Sequence, residues 1–479
     1  MKIEFMALFM IYVLVGSLLA LFSRRFFRGH LGDYYIAGGR LGALLSAGTY
    51  AATTYSAFMM VGLVGMTYGT GIGALGFELL YLASTVFLLS TIGLRIWMLS
   101  RSRKWISPSH MLGDLYSSRS IATTTAAIYL FAMIPYLSAQ IQGLKTIFNY
   151  GGFGEIDALV ISSIIVYSWI AIAGMWSVAI TDFYQGIIMF TGALCYLIWM
   201  IFYNVPSKGI SYLDLLGTLT SNGYLGLTSF WSLGVFLAYT IPWMFFAVTN
   251  PQVVVRLYIH KDLESYRKSV LLFYIYGFTY TLIVVIVGLT AAGLSQLGLI
   301  PSNMPWDSVT PYLLNLMHPL LGSLIAVSIV AAAVSTSNSI VLAVSGSIVS
   351  SVPRLNKLLV ARIIDAVLVL AAALVASTGA GFIVDLSVLT SVILLPLAPV
   401  TILAVLKHGE FSKYTKLAAL VSLVAGTLLA TYYAITLGPR RAFREMIMGL
   451  PLSIWVLVLS SMIMLVGYFI DRQLYNKKI

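Results

Sequence analysis

The stretch SAGTYAATTYSAFMMVGLVG, residues 46–65, decides how this chain folds. It consists mostly of small and apolar residues, carries no charge, and has the length of roughly 20 residues that a helix needs to cross a bilayer. Near its centre stand the hydroxyl residues Thr53, Thr54 and Ser56, at a depth where water cannot satisfy the backbone. The sequence therefore predicts a membrane-spanning helix that is interrupted near its middle, with these hydroxyls as substitute hydrogen-bonding partners.

Blocks of the same kind recur along the whole chain. Of its 479 residues, 60% are hydrophobic and only 9% are charged, whereas a soluble protein carries about 25% charged residues. The candidate spans are Phe5–Phe22, Leu41–Tyr68, Ile72–Leu99, Ile121–Ile147, Ala158–Ile180, Tyr184–Val205, Phe230–Val255, Ser269–Leu297, Leu320–Val349, Leu358–Ala376, Phe382–Leu406, Leu417–Thr436 and Leu450–Ile470. We therefore expect an all-α polytopic membrane protein with about 13 transmembrane helices, the first of which is retained rather than cleaved.

The distribution of positive charge predicts the orientation. Most of the 28 lysines and arginines fall in alternate loops, and the positive-inside rule places those loops in the cytoplasm. The expected protein lies in the cell membrane with its N-terminus outside and its C-terminus in the cytoplasm. The cluster Arg440, Arg441 and Arg444 is an exception, because it falls on the outer side. The net charge of +12 is explained by topology, so no nucleic-acid partner is expected.

The spans divide into two candidate halves within one transmembrane domain. Five spans form a first repeat (41–205) and five a second (230–406), preceded by a leading helix and inner loop (1–40) and followed by two trailing helices with a short tail (407–479). An odd number of spans per half inverts the second half in the membrane, as in secondary transporters. The first helix of each half should then be broken. The second such span contains YTIPWMFFAVTNPQ, where Pro242 and Pro251 remove backbone donors.

The densest membrane-embedded polar cluster is AAAVSTSNS, Ala331 to Ser339. Residues three and four apart share a helix face, so Ser335, Thr336 and Ser339 lie close together. Two hydroxyls, together with carbonyls freed by a broken helix, suit a monovalent cation such as sodium. The alternative interpretation is that these small residues only allow helices to pack closely.

Buried acidic residues are the next candidates, because charges in a membrane are costly unless they serve a function. In GMWSVAITDFYQ, Asp182 is expected at the inner end of the fifth span with Gln185 one turn on. It either attracts a cation or caps the following helix. Glu78, in GALGFELLYL, is expected to be paired, protonated or in contact with a ligand. Asp365 and Asp385 also lie near membrane depth, without surroundings that mark them further.

The remaining signals are weaker. Trp243 stacks on a solute or serves as a packing aromatic, and Arg256 is expected to anchor the chain at the inner surface. Because the chain has a single cysteine, Cys195, and five scattered histidines, we expect no metal site other than one for sodium. None of the known catalytic sequence motifs occurs in a suitable context in this chain. We therefore expect neither an enzyme nor an organic cofactor.

In combination, these motifs resemble the sodium:solute symporter family, which includes carriers of proline, pantothenate, sugars and monocarboxylates. The motifs that carry the resemblance are DYYIAGGRLG (residues 33–42), GLVGMTYGTGI (62–72), GMWSVAITDFYQ, the series Trp243–Pro251–Arg256, and AAAVSTSNS. The resemblance extends to about Leu406. It implies thirteen helices around a five-plus-five inverted repeat, in agreement with the span count.

The resemblance also implies roles for particular residues. A sodium site would use the backbone carbonyls of Ala52, Tyr55 and Ala332 with the hydroxyls of Ser335 and Thr336. Asp182 matches an aspartate on the inward sodium path. The expected solute-binding residues are Thr53, Thr54, Ser56, Glu78, Trp243, Phe246 and Ala247. Among them, Trp243 would line the solute cavity, and Glu78 aligns with a glutamate that contacts sugar in sugar carriers.

Departures from the family pattern limit the choice of solute. Compared with proline carriers, Thr54 stands in place of an aspartate and Ala247 in place of a tyrosine. Compared with sugar carriers, Trp243 stands in place of an asparagine and Phe246 in place of the gating tyrosine. A monocarboxylate, an amino acid or pantothenate is therefore preferred. The expected function is sodium-coupled symport of a small organic solute. A proton-coupled carrier of the same fold, using Glu78 or Asp182, and a non-transporting membrane enzyme or sensor are the alternatives.

Overall fold

The computed structural model describes residues 2–355, 357–377, 383–407 and 411–476, and the chain there is almost entirely helical. The main helices are α1 Ile3–Ser23, α2 Ala43–Thr54, α3 Val64–Thr70, α4 Gly73–Leu88, α5 Leu94–Arg103, α6 Arg119–Tyr150, α7 Glu155–Ala173, α8 Met175–Trp199, α9 Leu233–Met244, α10 Phe246–Thr249, α11 Pro251–Val254, α12 Leu263–Gln296, α13 Trp306–Asn315, α14 Pro319–Ser351, α15 Leu358–Ser377, α16 Ile383–Leu394, α17 Leu397–Lys407, α18 Lys413–Leu437 and α19 Leu452–Asn476.

Shorter elements join these helices. They are the short helices Leu31–Ile36, Pro108–Leu115, Val205–Ser207, Tyr212–Ser221 and Pro439–Ala442, the π-helical turns Phe58–Leu63, Leu89–Gly93 and Met200–Asn204, and the 3-10 turns Arg24–Phe26, Ala37–Gly39, Val255–Leu257 and Pro353–Leu355. Strands β1 (Met446–Ile447) and β2 (Leu450–Pro451) form an antiparallel hairpin. The fold is therefore an all-α membrane bundle, as the sequence predicts.

The number of spans is only partly confirmed. Ten described helices are long and apolar enough to cross a membrane, or eleven if α16 and α17, bent by 47°, form one span. The two predicted spans outside this count, Leu41–Tyr68 and Phe230–Val255, are the ones that lead the two candidate halves. Each is divided into helices too short to qualify, so the exact count of thirteen is not confirmed.

The first leading span breaks directly after Thr54. There Tyr55 leaves helical geometry, with φ −92° and ψ 90°, and a π-helical turn begins at Phe58. The hydroxyl of Ser56 accepts a hydrogen bond from the backbone N–H of Phe58 at 3.1 Å. Ser56 therefore acts as a local substitute partner at the break, in the manner expected from its hydroxyl.

The second leading span breaks twice. Phe245, with φ −98° and ψ 4°, separates α9 from α10, and the extended residue Asn250 separates α10 from α11. Pro251 occupies the first turn of α11, where its missing N–H costs nothing because first-turn donors have no helical partner. Pro242 lies inside α9, shortly before the first break.

Helix α14 is the centre of the bundle. Within its most apolar 18 residues 83% are buried, against 28% in α1 and in the last helix. Its small side chains allow close approach by neighbouring helices. A Cβ added to Gly192 of α8 would lie only 2.1 Å from the Ser328 hydroxyl of α14, and one added to Gly346 of α14 would lie 2.9 Å from Tyr35.

One predicted boundary is wrong. The spans Ala158–Ile180 and Tyr184–Val205 are actually α7 and α8, which meet at Gly174. Gly174 has φ +56°, and a Cβ at this position would lie 2.3 Å from the carbonyl oxygen of Tyr34. The turn thus requires glycine. Asp182 consequently lies within α8, two turns after its start, and does not cap a helix.

Candidate functional site

The hydroxyls of Ser335 and Thr336 lie against the C-terminal end of α2. Ser335 Oγ is 2.8 Å from the carbonyl oxygen of Ala52 and 3.0 Å from that of Ala332. Thr336 Oγ1 is 3.1 Å from the carbonyl oxygen of Thr53 and 3.4 Å from that of Ala52. All of these residues are fully buried. Oxygen atoms from two helices 283 positions apart in sequence therefore converge inside the bundle.

The end of α2 favours a cation electrostatically. Carbonyls in the last turn of a helix lack partners within it and carry the negative end of the helix dipole. Ala52 and Thr53 belong to this turn. Tyr55 follows it, and its ψ of 90° turns its carbonyl away from the helical direction. The break thus concentrates partial negative charge next to the α14 hydroxyls without placing a full anion there.

Asp182 is paired with an arginine in the interior. Its Oδ2 atom is 3.0 Å from an Arg256 guanidinium nitrogen, and the two side chains are 0% and 1% exposed. Asp182 Oδ2 also accepts a hydrogen bond from Thr49 Oγ1 at 2.6 Å. Arg256 donates further to the Thr49 carbonyl at 3.1 Å and to the Gln252 carbonyl at 2.6 Å. Both charges are therefore compensated away from water.

A chain of hydrogen bonds joins this ion pair to the Ser335 region. Thr53 Oγ1 lies 2.7 Å from Ser339 Oγ, which also accepts from Arg256 and donates to the Ser335 carbonyl at 2.7 Å. Thr53 Oγ1 is 3.5 Å from Asp182 Oδ2. Four of the predicted ion-site residues therefore belong to the same polar network as Asp182, the predicted path residue: Ala52, Ala332, Ser335 and Thr336.

The expectation that Arg256 anchors the chain at the inner surface is wrong. Arg256 is 1% exposed because the breaks at Phe245 and Asn250 turn the chain so that the arginine points into the bundle. Sequence hydropathy treats an arginine after an apolar run as a surface residue. The sequence feature that could have indicated the burial of Arg256 was Asp182, since a carboxylate in the interior requires a cationic partner.

Trp243 lies within a group of aromatic rings. Its ring centroid is 5.0 Å from Phe58 and from Tyr81, 5.5 Å from Phe77 and 5.6 Å from Phe246. We call these residues together with Glu78 the Glu78 cluster: Phe58, Phe77, Glu78, Tyr81, Trp243 and Phe246. Each of its side chains is at most 2% exposed, so the cluster is closed to solvent in this structure.

Glu78 is fully buried without a hydrogen-bonding partner among the described residues. Its side chain is 1% exposed, and neither carboxyl oxygen makes a hydrogen bond. In the described ranges, the hydroxyl of Tyr81, one turn further along α4, and the indole N–H of Trp243 also have no hydrogen-bonding partner. Buried polar groups are normally paired. The Glu78 cluster therefore holds unused hydrogen-bonding capacity and an uncompensated acid.

The other predicted solute-binding residues lie at both breaks. Thr53 belongs to the polar network of Asp182, whereas the buried Thr54 hydroxyl has no hydrogen-bonding partner within the residues that the structure describes. Ser56 binds the backbone of the break, and Ala247 is buried in α10. The structure brings Trp243 and Phe246 together and places both against Tyr81, one turn after Glu78 on α4. Their contact with a solute stays a prediction.

Two further buried acids have structural partners. Asp365 accepts a hydrogen bond from the Tyr34 hydroxyl at 2.7 Å. Asp385 lies 3.8 Å from a guanidinium nitrogen of Arg444, which gives a structural reason for one of the cations that departed from the positive-inside pattern. Within the described ranges, no group of three or more histidine, cysteine or acidic residues is arranged to hold a metal ion.

The fold is shared with solved membrane transporters. A Na+-coupled sialic acid symporter, solved in a substrate-bound outward-open state, superposes with a TM-score of 0.78 over 97% of this chain and 98% of its own, at 17% identity. A nucleobase-cation-symport-1 family transporter with bound bromovinylhydantoin gives a TM-score of 0.54 over 91% and 95%, at 14% identity. The fold is therefore that of helical solute transporters.

The sequence places the chain within this class more narrowly. The model of the sodium:solute symporter family matches residues 34–426, and the chain belongs to that family. Sodium/proline symporters of Staphylococcus aureus are 24% and 25% identical over 359 residues, which cover 71% of this chain and 66% of each relative. The chain thus matches slightly less than two thirds of their length. These relatives are transporters rather than enzymes, as the sequence predicts.

Proposed function

We propose that this protein is a sodium-coupled symporter that carries a small organic solute across the cell membrane by alternating access. The observation that carries the proposal is the contact of the Ser335 and Thr336 hydroxyls with carbonyls at the break of α2. Transporters of this architecture bind sodium where an unwound helix exposes its carbonyls.

The proposed sodium ligands are five oxygen atoms: the carbonyls of Ala52, Tyr55 and Ala332 and the hydroxyls of Ser335 and Thr336. Sodium at this position would tie α2 to α14 and so favour the conformation in which the solute cavity is formed. Asp182 would lie on the inward path of the ion, because Thr53 and Ser339 connect it to the site. Each charge that crosses a potential of 100 mV contributes about 2.3 kcal/mol to the driving force.

The proposed architecture comprises thirteen helices in one transmembrane domain. The two broken spans would lead the inverted repeats 41–205 and 230–406, within the flanks 1–40 and 407–479. The C-terminus would be cytoplasmic and the N-terminus outside, as the cation distribution favours. The proposed solute is a monocarboxylate, an amino acid or pantothenate.

Uptake by reconstituted vesicles tests the proposal. A mixture of radiolabelled amino acids, monocarboxylates and pantothenate is supplied with an inward sodium gradient or an equal potassium gradient. Sodium should raise uptake at least tenfold, and the double variant Ser335→Ala/Thr336→Ala should reduce it to the potassium level. Ser337→Ala is the control, since the Ser337 hydroxyl bonds only the Ala333 carbonyl of its own helix. Sodium-stimulated uptake by the double variant would contradict the assignment.

A proton-coupled carrier of the same fold is the second candidate. It is favoured by one observation, the buried carboxyl of Glu78 that lacks a hydrogen-bonding partner among the described residues, because such a group can bind a proton. Uptake driven by an inward pH gradient without sodium, and lost in Glu78→Gln, would establish proton coupling instead.

A further inference from the structure

The Glu78 cluster combines a buried acid with a wall of aromatic rings. Glu78 lies between Phe77 and Tyr81 on α4, and both aromatic residues contact Trp243 of α9. Phe246, after the first break of the second half, stacks on Trp243 with an interplanar angle of 26°. The cluster therefore joins a helix of the first candidate half to the broken helix of the second.

If it is ionised, the carboxyl of Glu78 has to be compensated by some other group. Burying an ionised carboxylate costs several kcal/mol unless a cation or several donors meet it. Arg256, which is the one buried arginine among the described side chains, is already engaged by Asp182, Thr49 and Gln252. The unused oxygens of Glu78 thus remain available to a positively charged group that enters from outside.

The aromatic wall favours the same kind of ligand. Trp, Tyr and Phe rings attract ammonium groups through their negative faces, Trp most strongly, and the attraction grows when water is excluded. The indole N–H of Trp243, which has no hydrogen-bonding partner in the described part of the chain, can donate to an acceptor elsewhere on the same ligand. A solute whose only charge is negative would instead be repelled by Glu78 at low dielectric.

We propose that the Glu78 cluster is an ammonium-binding subsite, with Glu78 compensating the charge and Trp243, Tyr81 and Phe246 contacting the ammonium, so that the transported solute carries an amino or quaternary ammonium group. This inference rests on the proposed function and narrows it. Among the three preferred solute classes it selects the amino acids and disfavours monocarboxylates and pantothenate.

Thermal unfolding of the purified full-length protein tests the inference. The melting temperature is measured in sodium chloride with a panel of ammonium compounds (the common amino acids, choline and tetramethylammonium) and with propionate, pantothenate and glucose. At least one ammonium compound should raise the melting temperature, and the others should not. Glu78→Gln, which keeps the shape of the side chain, should weaken the apparent affinity for the stabilising compound at least tenfold.

Two controls separate the possible failures. Asp365→Asn changes another buried carboxyl, one that is bonded to Tyr34, and should leave the ammonium response unchanged. Replacing potassium chloride by sodium chloride in the absence of solute should raise the melting temperature of both the parent and Glu78→Gln. This rise in Glu78→Gln would show that the variant folds. Loss of this sodium response in the parent would refute the proposed function. If the sodium response is retained, three results would each overturn the inference alone. The first is stabilisation by propionate, pantothenate or glucose. The second is the lack of a response to any ammonium compound, and the third is an unchanged affinity in Glu78→Gln.

Discussion

At the scale of single residues, Asp182 and Arg256 form a fully buried ion pair next to the site. Both side chains are removed from water, and the guanidinium also binds backbone carbonyls of Thr49 and Gln252. Removing one partner of such a pair leaves an uncompensated charge in a low dielectric. The pair therefore constrains where α8, α2 and the end of the second broken span lie relative to one another.

We predict that Arg256→Met lowers the free energy of unfolding by about 3 kcal/mol, because Asp182 then loses its counterion while most of the packed volume is kept. Chemical denaturation in detergent, followed by tryptophan fluorescence, measures the change. The double variant Asp182→Asn/Arg256→Met should recover part of the loss.

The matched control is Arg103→Met. Arg103 forms an ion pair with Asp114 at 3.0 Å, but both side chains are more than a third exposed. Loss of an exposed pair changes stability by less than about 1 kcal/mol. If Arg256→Met were as mild as this control, the buried pair would not hold the site together.

The sequence predicted some of these residues but not others. Ser335 and Thr336 were identifiable because hydroxyls at helical spacing in an apolar span are costly unless they bind something. Their contact with Ala52 rested on the family resemblance. Arg256 was missed because its burial depends on the path of the chain through two helix breaks, which local hydropathy does not encode.

At the scale of secondary-structure elements, the breaks of the two leading helices create the site. The ends of these spans are also joined to each other: Leu41, just before α2, accepts from the Lys261 N–H at 3.0 Å and donates to the Ile259 carbonyl at 2.9 Å. Between them lies His260, which is 3% exposed. Its ring Nε2 is 2.7 Å from the Ser269 hydroxyl, and its ring packs against Tyr266.

We predict that this junction is sensitive to acid. Burial away from water lowers the pKa of His260 from 6.5 to about 4, so the folded state keeps the ring neutral while the unfolded state is protonated. Stability is complete above pH 6.5 and falls between pH 6.5 and 4, by about 2 kcal/mol at pH 5. The melting temperature in detergent should decrease over this range.

The variant His260→Gln should show a smaller decrease between pH 7 and pH 5 than the parent protein. The residual decrease would include His110, because burial also lowers the pKa of that ring. Identical pH profiles for the parent and His260→Gln would show that protonation of this histidine does not destabilise the junction.

At this scale, the breaks could be predicted from the residues that cause them. Prolines and mid-membrane hydroxyls predicted which spans break, and the structure confirms both breaks. The turn at Gly174 was misplaced, because it depends on a positive φ and on contact with the Tyr34 backbone. A continuous apolar run gives no local sign of either.

At the scale of the whole molecule, α14 forms a buried axis against which the first broken helix packs. Less buried helices such as α1 pack against it, and the polar network from Asp182 to Ala52 crosses its surface. Hydropathy predicted the helical class and most spans. The structure does not confirm the predicted number of thirteen, because the helices of a broken span are shorter than a continuous span.

The central claim is that the oxygens of α14 and of the α2 break bind sodium, and equilibrium binding of radiolabelled sodium to the purified protein tests it most directly. The parent protein and Ser337→Ala should bind sodium saturably and release it to excess unlabelled sodium but not to potassium. Ser335→Ala/Thr336→Ala should lose this binding while keeping a cooperative thermal transition. A double variant that folds and binds sodium with unchanged affinity would contradict the account.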